Sequence, residues 1–167
     1  MNNPAIFTPS SLLEHWQGHQ RLTRVTIERF PAEHLFSFQP AAPMRSYGAM
    51  MLEVVGMVQP ILNGVETGQF NWGNTQPDIH SKTALLEAWD ANTDFITAAF
   101  SRIAGERWLA RAAEFGIEQP VVDYVLYQVD NEIHHRATGH GVPASAGTRA
   151  ATVRGTLNAG IVISSQK

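Results

Sequence analysis

The chain has 167 residues, 44% of them hydrophobic, and its mean hydropathy is −0.15. This length suits one domain with a substantial core. The absence of cysteine excludes disulfides, zinc–thiolate centres and cysteine nucleophiles, and leaves metal chemistry to His, Asp, Glu and Asn. A net charge of −3 gives no general attraction to nucleic acid or to anionic membranes. Because we find neither a signal-peptide pattern nor an apolar run of about 20 residues, we expect a cytoplasmic protein that binds neither nucleic acid nor a membrane.

The first predicted helix covers residues 11–30. Ser11 and Glu14 have the spacing of a capping box at its start, and Pro31 ends it. Three prolines between residues 31 and 45 then predict a loop without regular structure.

The second predicted helix covers residues 46–63, with Ser46 as its N-cap and Gly64 as its stop. Apolar residues occupy nearly every face of this segment, so we expect a mostly buried helix, with Pro60 in its last turn. The stretch 65–80 is rich in Gly, Asn and Pro and predicts a loop.

Two more helices follow. Ser81 caps the third, over residues 81–104, and the fourth covers residues 120–136, with a proline in its first turn. Between them, residues 105–119 are ambiguous, with a helix-forming stretch at 107–114. Four amphipathic segments without an alternating strand pattern predict an all-α, up-and-down four-helix bundle.

Glu53 is the first polar residue that is difficult to place. Its helical neighbours three or four positions away are Ala49, Met50 and Met57, and the predicted helix contains neither Lys nor Arg. A buried, unpaired carboxylate costs several kcal/mol, so Glu53 needs a cation, a hydrogen-bond donor or a bound proton. The alternative is that Glu53 lies on a solvated strip of the helix.

The last helix holds the second unusual group of polar residues. Residues 130–136 read Asp-Asn-Glu-Ile-His-His-Arg, and six of these seven are polar. Asn131 and His135 are four positions apart, so they project from one face and can converge on one point, as two metal ligands from one helix do. Glu132 and Arg136 share this spacing and can form an ordinary helix ion pair.

Residues 131–136, Asn-Glu-Ile-His-His-Arg, resemble the last-helix motif of the DinB/YfiT-like superfamily. Residues 46–48, Ser-Tyr-Gly, followed by Glu53 where that family usually has a histidine, resemble its second helix. The resemblance spans about residues 10–136. It implies a four-helix bundle, often dimeric, with zinc or nickel held by one histidine of the second helix and two of the last. Characterised relatives include thiol-dependent S-transferases and isomerases.

Two of the three implied ligands differ in this chain. Glu53 and Asn131 stand where histidines are expected, while His135 matches the third. The resemblance thus implies a divalent cation (Zn²⁺, Ni²⁺ or Mn²⁺) on one carboxylate, one amide and one imidazole, a weaker set than three imidazoles. Glu132 and His134 are the candidates for orienting these ligands.

The resemblance implies a metal-dependent transferase or hydrolase that acts on a small-molecule substrate. It also implies a low-molecular-weight thiol as cosubstrate and assembly into a homodimer. The sequence identifies no catalytic residue. The alternative is a non-catalytic helical bundle, again dimeric, in which Glu53, Asn131 and His135 form a buried polar network without metal.

Residues 137–167 differ in composition from the bundle domain at residues 1–136. Because the chain after His135 contains no Asp, Glu or aromatic residue, we expect an atypical, poorly packed tail. The family motif continues with Gly-Gln and ends near Tyr-Leu-Arg. Codons for residues 136–138 and 142–144, read one base later, can encode Gly-Gln and Tyr-Leu, so we hypothesise a frame change after about Arg136, with a native flexible tail as the alternative. Resequencing that reveals an intact frame, shared by close relatives, contradicts the hypothesis.

Overall fold

The computed structural model describes residues 7–73 and 75–141 of the chain, and four long helices account for most of them. The helices are α1 (Pro9–Arg29), α2 (Tyr47–Thr67), α3 (Lys82–Arg102) and α4 (Val121–Thr138). Short 3-10 turns lie at Ala32–His34, Gly105–Leu109, Glu114–Gly116 and Gly139–Gly141, and a two-residue antiparallel pairing joins β1 (Arg111–Ala112) to β2 (Gln119–Pro120). The predicted all-α class is confirmed.

The four helices form a bundle in which α3 and α4 each pack against both α1 and α2. One apolar cluster combines the first half of α1, the second halves of α2 and α3, and the first half of α4. The other combines the end of α1 with the first halves of α2 and α3. Hence α1 and α4 run in one direction and α2 and α3 in the other. The predicted four-helix bundle is confirmed, but α2 and α3 run parallel, so consecutive helices do not alternate in direction as the predicted up-and-down order requires. The long connections allow this order, because a parallel pair and a diagonal pair such as α1 and α2 cannot be joined by short loops.

The start of α1 differs from the prediction. Thr8 is its N-cap: the Thr8 hydroxyl accepts a hydrogen bond from the Ser11 backbone N–H at 3.1 Å, and the Ser11 hydroxyl oxygen accepts one from the Thr8 N–H at 2.9 Å. The predicted capping box of Ser11 with Glu14 is therefore wrong, because Ser11 occupies the third helical position. Pro9 fits the first position, where no N–H is needed, and α1 ends before Pro31 as predicted.

The end of α2 also differs from the prediction. Gly64 does not stop the helix. It is buried inside it, and an added Cβ would lie 2.2 Å from Cδ1 of Phe70. The left-handed C-cap is Gly68, with φ of 84°, a conformation that glycine adopts at no steric cost. Ser46 is the N-cap as predicted, and its hydroxyl accepts a hydrogen bond from the Ala49 N–H.

The composition of α2 reflects its position in the core. Within the described part of the chain, it is the one helix long and apolar enough to cross a membrane by length and composition, but 56% of that stretch is buried inside the bundle. The core helix of a soluble protein meets the same criterion. The prediction of a mostly buried helix is confirmed.

The connection between α3 and α4 does not contain the helix predicted at residues 107–114. Trp108 enters the core from a 3-10 turn, with its ring centroid 4.9 Å from that of Phe100. The chain then reverses through Phe115 and Gly116, both at positive φ, so that β1 can pair with β2. Tertiary packing of Trp108 and this reversal outweigh the local helix propensity.

The end of α4 lies beyond its predicted limit at Arg136. The helix continues to Thr138, and Gly139 is buried against Tyr47, where an added Cβ would lie 2.5 Å from the ring carbon Cζ. Thr138 and Gly139 of the predicted tail therefore pack onto the bundle. The rest of the predicted tail, including residues 142–144 of the frame-change hypothesis, lies outside the described residues.

The loop at residues 68–80 lies so close to α2 that one methyl group added at Gly56 should destabilise the fold. An added Cβ at Gly56 would lie 1.8 Å from the Thr75 carbonyl oxygen. We therefore expect Gly56→Ala to lower the free energy of unfolding by about 1–3 kcal/mol, measured by urea denaturation, although alanine favours helix. Gly18→Ala is the matched control, because the nearest atom to its added Cβ is Arg21 Nη2 at 3.9 Å. This control should raise stability by up to about 1 kcal/mol, and equal effects at both sites would contradict the loop position.

Candidate functional site

Glu53, Asn131 and His135 converge where α2 packs against α4. Nδ2 of Asn131 lies 3.5 Å from Oε1 of Glu53, and Nε2 of His135 lies 3.7 Å from the same oxygen. The side chains of Glu53 and His135 are 20% and 11% exposed, so Glu53 does not lie on a solvated strip. The structure brings the three predicted residues together, while their role as metal ligands stays a prediction.

Arg45 is the partner of Glu53 that sequence reasoning missed. Its guanidinium Nη2 forms an ion pair with Oε2 of Glu53, and the Arg45 side chain is 45% exposed. Arg45 lies outside α2 and directly precedes its N-cap Ser46, so the charges within the helix do not reveal the pairing. Its position in the sequence next to the start of α2 was the available signal.

Burial determines the protonation state of His135. It lowers the pKa of the imidazole, with smaller lowering contributions from His134 and Arg45, while the Glu53 carboxylate opposes the shift. The Nδ1 atom of His135 is buried without a hydrogen-bond partner in the described part of the chain. A neutral ring therefore has its proton on Nε2, facing Glu53, because an unpaired acceptor costs less than an unpaired buried N–H donor.

These residues do not fit a resident divalent cation while Arg45 is in place. The set offers one carboxylate, one neutral amide and one neutral imidazole, and Arg45 already balances the carboxylate, so an added cation would carry two uncompensated charges. Ligation through Nε2 would also move the proton of His135 to Nδ1. Metal-binding histidines normally donate that second N–H to an acceptor, and among the described residues Nδ1 of His135 has none.

Glu132 was predicted to orient the residues around Glu53, but in the structure its carboxylate is bonded to side chains of α1. It is 0% exposed, and its carboxylate accepts hydrogen bonds from three side chains of α1: Trp16 at 3.1 Å, Gln20 at 2.5 Å and Thr23 at 2.6 Å. Burial raises the pKa of Glu132, and these donors, with the positive charge of Arg136, oppose the rise. Glu132 thus ties α4 to α1, on the side away from Glu53.

His134 and Arg136 flank this network. His134 is exposed, with its ring centroid 5.2 Å from that of His135 in an edge-to-face arrangement, and its predicted orienting role stays a prediction. Arg136 donates through Nη1 to the Thr23 hydroxyl at 3.2 Å and to the His19 carbonyl at 3.3 Å. The guanidinium therefore joins the α1 network instead of forming a simple helix ion pair on the surface.

A cavity of about 620 Å³ lies beside Glu53, between α2, the 68–80 loop, the turn before β2 and the first half of α4. Four aromatic side chains line much of it: Trp72, Phe115, Tyr124 and Tyr127. None of these was predicted as a site residue, because two of the walls come from connections whose path the sequence does not reveal.

The aromatic wall of the cavity is held by hydrogen bonds to the protein itself. The indole N–H of Trp72 donates to the Glu114 carboxylate at 2.8 Å. The Tyr124 hydroxyl accepts from the Glu114 N–H at 3.1 Å and donates to the Ala112 carbonyl at 3.4 Å. Since these polar atoms are already paired, Trp72 and Tyr124 present mainly ring surface to the cavity.

Comparison with known proteins identifies both a family and a fold. The family model of the DinB family matches residues 1–155. A crystal structure of a DinB-like protein from Bacillus subtilis superposes with a TM-score of 0.67 at 16% identity, covering 83% of this chain and 93% of that one. A DinB-like protein from Bacillus cereus gives 0.64 at 18% identity, covering 83% and 92%. At these identities the two structures show the shared fold alone. In a separate comparison with curated proteins, none matched the chain.

Burial of His135 predicts a pH dependence of stability. Because its pKa is lowered from 6.5 in the folded state, the unfolded chain takes up the proton first as the pH falls, and the folded state loses stability. We expect His135→Gln to reduce the fall in the free energy of unfolding between about pH 7.5 and about pH 5.5, measured by urea denaturation. The matched control is His134→Gln at the exposed neighbour. A pH dependence that His135→Gln leaves unchanged would count against the buried, neutral imidazole.

Proposed function

Because this chain belongs to the DinB family and has the helical bundle of its solved relatives, we propose that it binds a small molecule in the cavity beside Glu53, without a resident metal. The observation that carries this proposal is the position of Glu53, which lines the cavity while its carboxylate is held by Arg45 and by the polar side chains of α4. Glu53 thus places a fixed polar group at the edge of an aromatic chamber.

The dimensions of the cavity support small-molecule binding. Its volume of about 620 Å³ falls within the range of about 300–1,000 Å³ that is typical of ligand pockets, which combine apolar walls with a few placed polar groups. Hydrogen bonds to Glu114 and Ala112 hold Trp72 and Tyr124 in place, so little ordering of the walls is needed when a ligand enters.

Charge balance supports a site without a metal. Arg45 supplies the positive charge that the Glu53 carboxylate requires, and Asn131 and His135 face the same carboxylate with an amide and an N–H. The four side chains therefore form a polar group without net charge between the loop before α2, α2 itself and α4. This proposal corresponds to the polar-network alternative that the sequence left open, with a ligand cavity added to it.

A second candidate is the metal-dependent transferase or hydrolase that the family resemblance implies. One observation favours it: the neutral imidazole of His135 lies 3.7 Å from Oε1 of Glu53, so both donors already face one point, beside the amide of Asn131. It requires Arg45 to release Glu53. The low-molecular-weight thiol, the homodimer and the cytoplasmic location stay predictions.

Elemental analysis separates the two candidates. We expect the full chain, purified without a histidine tag, to contain far less than one zinc, nickel or manganese ion per chain. Glu53→Ala and His135→Ala should each lower the free energy of unfolding by about 1–3 kcal/mol, because each removes a largely buried side chain from the contact of α2 with α4. Neither variant should change the metal content. One metal ion per chain that both variants lose would support the metal-dependent candidate and refute the first.

NMR tests the cavity itself. We expect small aromatic fragments that bind the chain to shift the indole N–H signal of Trp72, which lines the cavity. The indole of Trp89 is an internal control, because it is buried in the other apolar cluster and donates to the Gln20 carbonyl. Fragments that shift both signals equally, or a library without any binder, would contradict the proposal.

A further inference from the structure

We propose that the ligand of the cavity beside Glu53 is an organic cation whose ammonium group lies near Asp123 and whose apolar part packs against Trp72 and Tyr124. This inference rests on the proposed function and names the chemical class of its ligand. It follows from the charges that line the cavity, the rings that form its walls and the conformation of its rim.

The charged residues that line the cavity are both acidic. They are Glu53 and Asp123, and neither Lys nor Arg lines it in the described part of the chain. The charge of Glu53 is balanced by Arg45. Asp123 is half-buried in the first turn of α4, and in the same part of the chain its side chain makes no hydrogen bond or ion pair. The cavity therefore carries one negative charge that, among the described residues, only the N-terminal dipole of α4 offsets, which favours a cation and disfavours an anion.

The walls suit the apolar part and the positive charge of such a ligand. With its indole N–H already paired to the protein, Trp72 offers a ligand the part of its ring that Phe70 and Phe115 do not cover. Tyr124 is 4% exposed and adds only the part of its ring that lines the cavity. Aromatic faces attract cations through their quadrupole, and tryptophan does so most strongly. A neutral ligand would gain the same apolar contact but would leave Asp123 without a counter-charge.

The rim of the cavity gives a further observation. Phe115 and Tyr127 line it, although 76% and 54% of these residues are exposed. Phe115 has φ of 56°, a left-handed conformation that is uncommon for a bulky residue, and its ring lies 5.0 Å from that of Trp72. Strained residues of this kind cluster at ligand sites. Phe115 and Tyr127 extend the aromatic surface outward, where an entering ligand would cover them.

The test uses three probes with one skeleton and different charges: 3-phenylpropylammonium, 3-phenylpropanol and 3-phenylpropanoate. Calorimetric titration of the full chain at low salt gives their dissociation constants. We expect the ammonium to bind about tenfold more tightly than the alcohol, and the carboxylate to bind most weakly. Added salt should weaken binding of the ammonium more than binding of the alcohol, because it screens partly exposed charges.

Substitutions identify the carboxylate that is responsible. Asp123→Asn should weaken binding of the ammonium roughly three- to tenfold, as expected for one partly screened charge, and leave binding of the alcohol unchanged. Asp130→Asn is the matched control, because Asp130 is exposed on the same helix and does not line the cavity. Circular dichroism confirms that both variants are folded.

The outcomes separate this inference from the proposed function. If the alcohol or the carboxylate binds as tightly as the ammonium, or if Asp123→Asn leaves binding of the ammonium unchanged, the organic-cation inference is wrong while small-molecule binding stands. If none of the three probes binds, the proposed function fails together with the inference.

Discussion

The packing of two carboxylates at the surfaces of α4, with Glu132 fully buried and Glu53 half-buried, is the constraint on which this structure depends. A carboxylate inside a bundle needs donors or a counter-charge, because leaving it unpaired costs several kcal/mol. Glu132 meets this need with three side chains of α1 and the nearby Arg136, and Glu53 of α2 meets it with Arg45 and side chains of α4. The last helix is thus fixed to α1 on one side and to α2 on the other. These polar contacts specify a register that apolar packing alone leaves loose.

The same arrangement shapes the function that we propose. Since Arg45 balances Glu53, the carboxylate stays at the edge of the cavity without a metal ion, and its position is fixed from two sides. Glycines of α2 let the 68–80 loop lie directly on the helix, with the Thr75 backbone against Gly56 and the Phe70 ring against Gly64. That loop carries Trp72 to the cavity. One helix, α2, therefore supplies Glu53 to the cavity and, through its glycines, positions the loop that carries Trp72.

Local signals explain the part of this account that the sequence predicted. Ser46 and Ser81 cap helices because a short hydroxyl side chain bonds the early N–H groups of a helix wherever the helix is. That Asn131 and His135 share a face of α4 also follows from local information, since residues four apart project from the same side of a helix. The position of Glu53 beside them was predicted from the resemblance to the family. Several parts that were wrong or missed depend on contacts between a helix and the segments that flank it. Gly64 is a packing position because Phe70 covers it, and neither the pairing of Arg45 nor the aromatic wall can be read from helix periodicity.

A double-mutant cycle on Arg45 and Glu53 tests the central claim, that the guanidinium is the counter-charge of the buried carboxylate. The free energy of unfolding is measured for the natural chain, Arg45→Gln, Glu53→Gln and the double variant. The account predicts a favourable coupling of about 0.5–1.5 kcal/mol, as expected for a partly exposed pair with a half-buried partner. A coupling of zero, together with stabilisation of Arg45→Gln by added zinc, would show that a metal ion and not Arg45 belongs on Glu53.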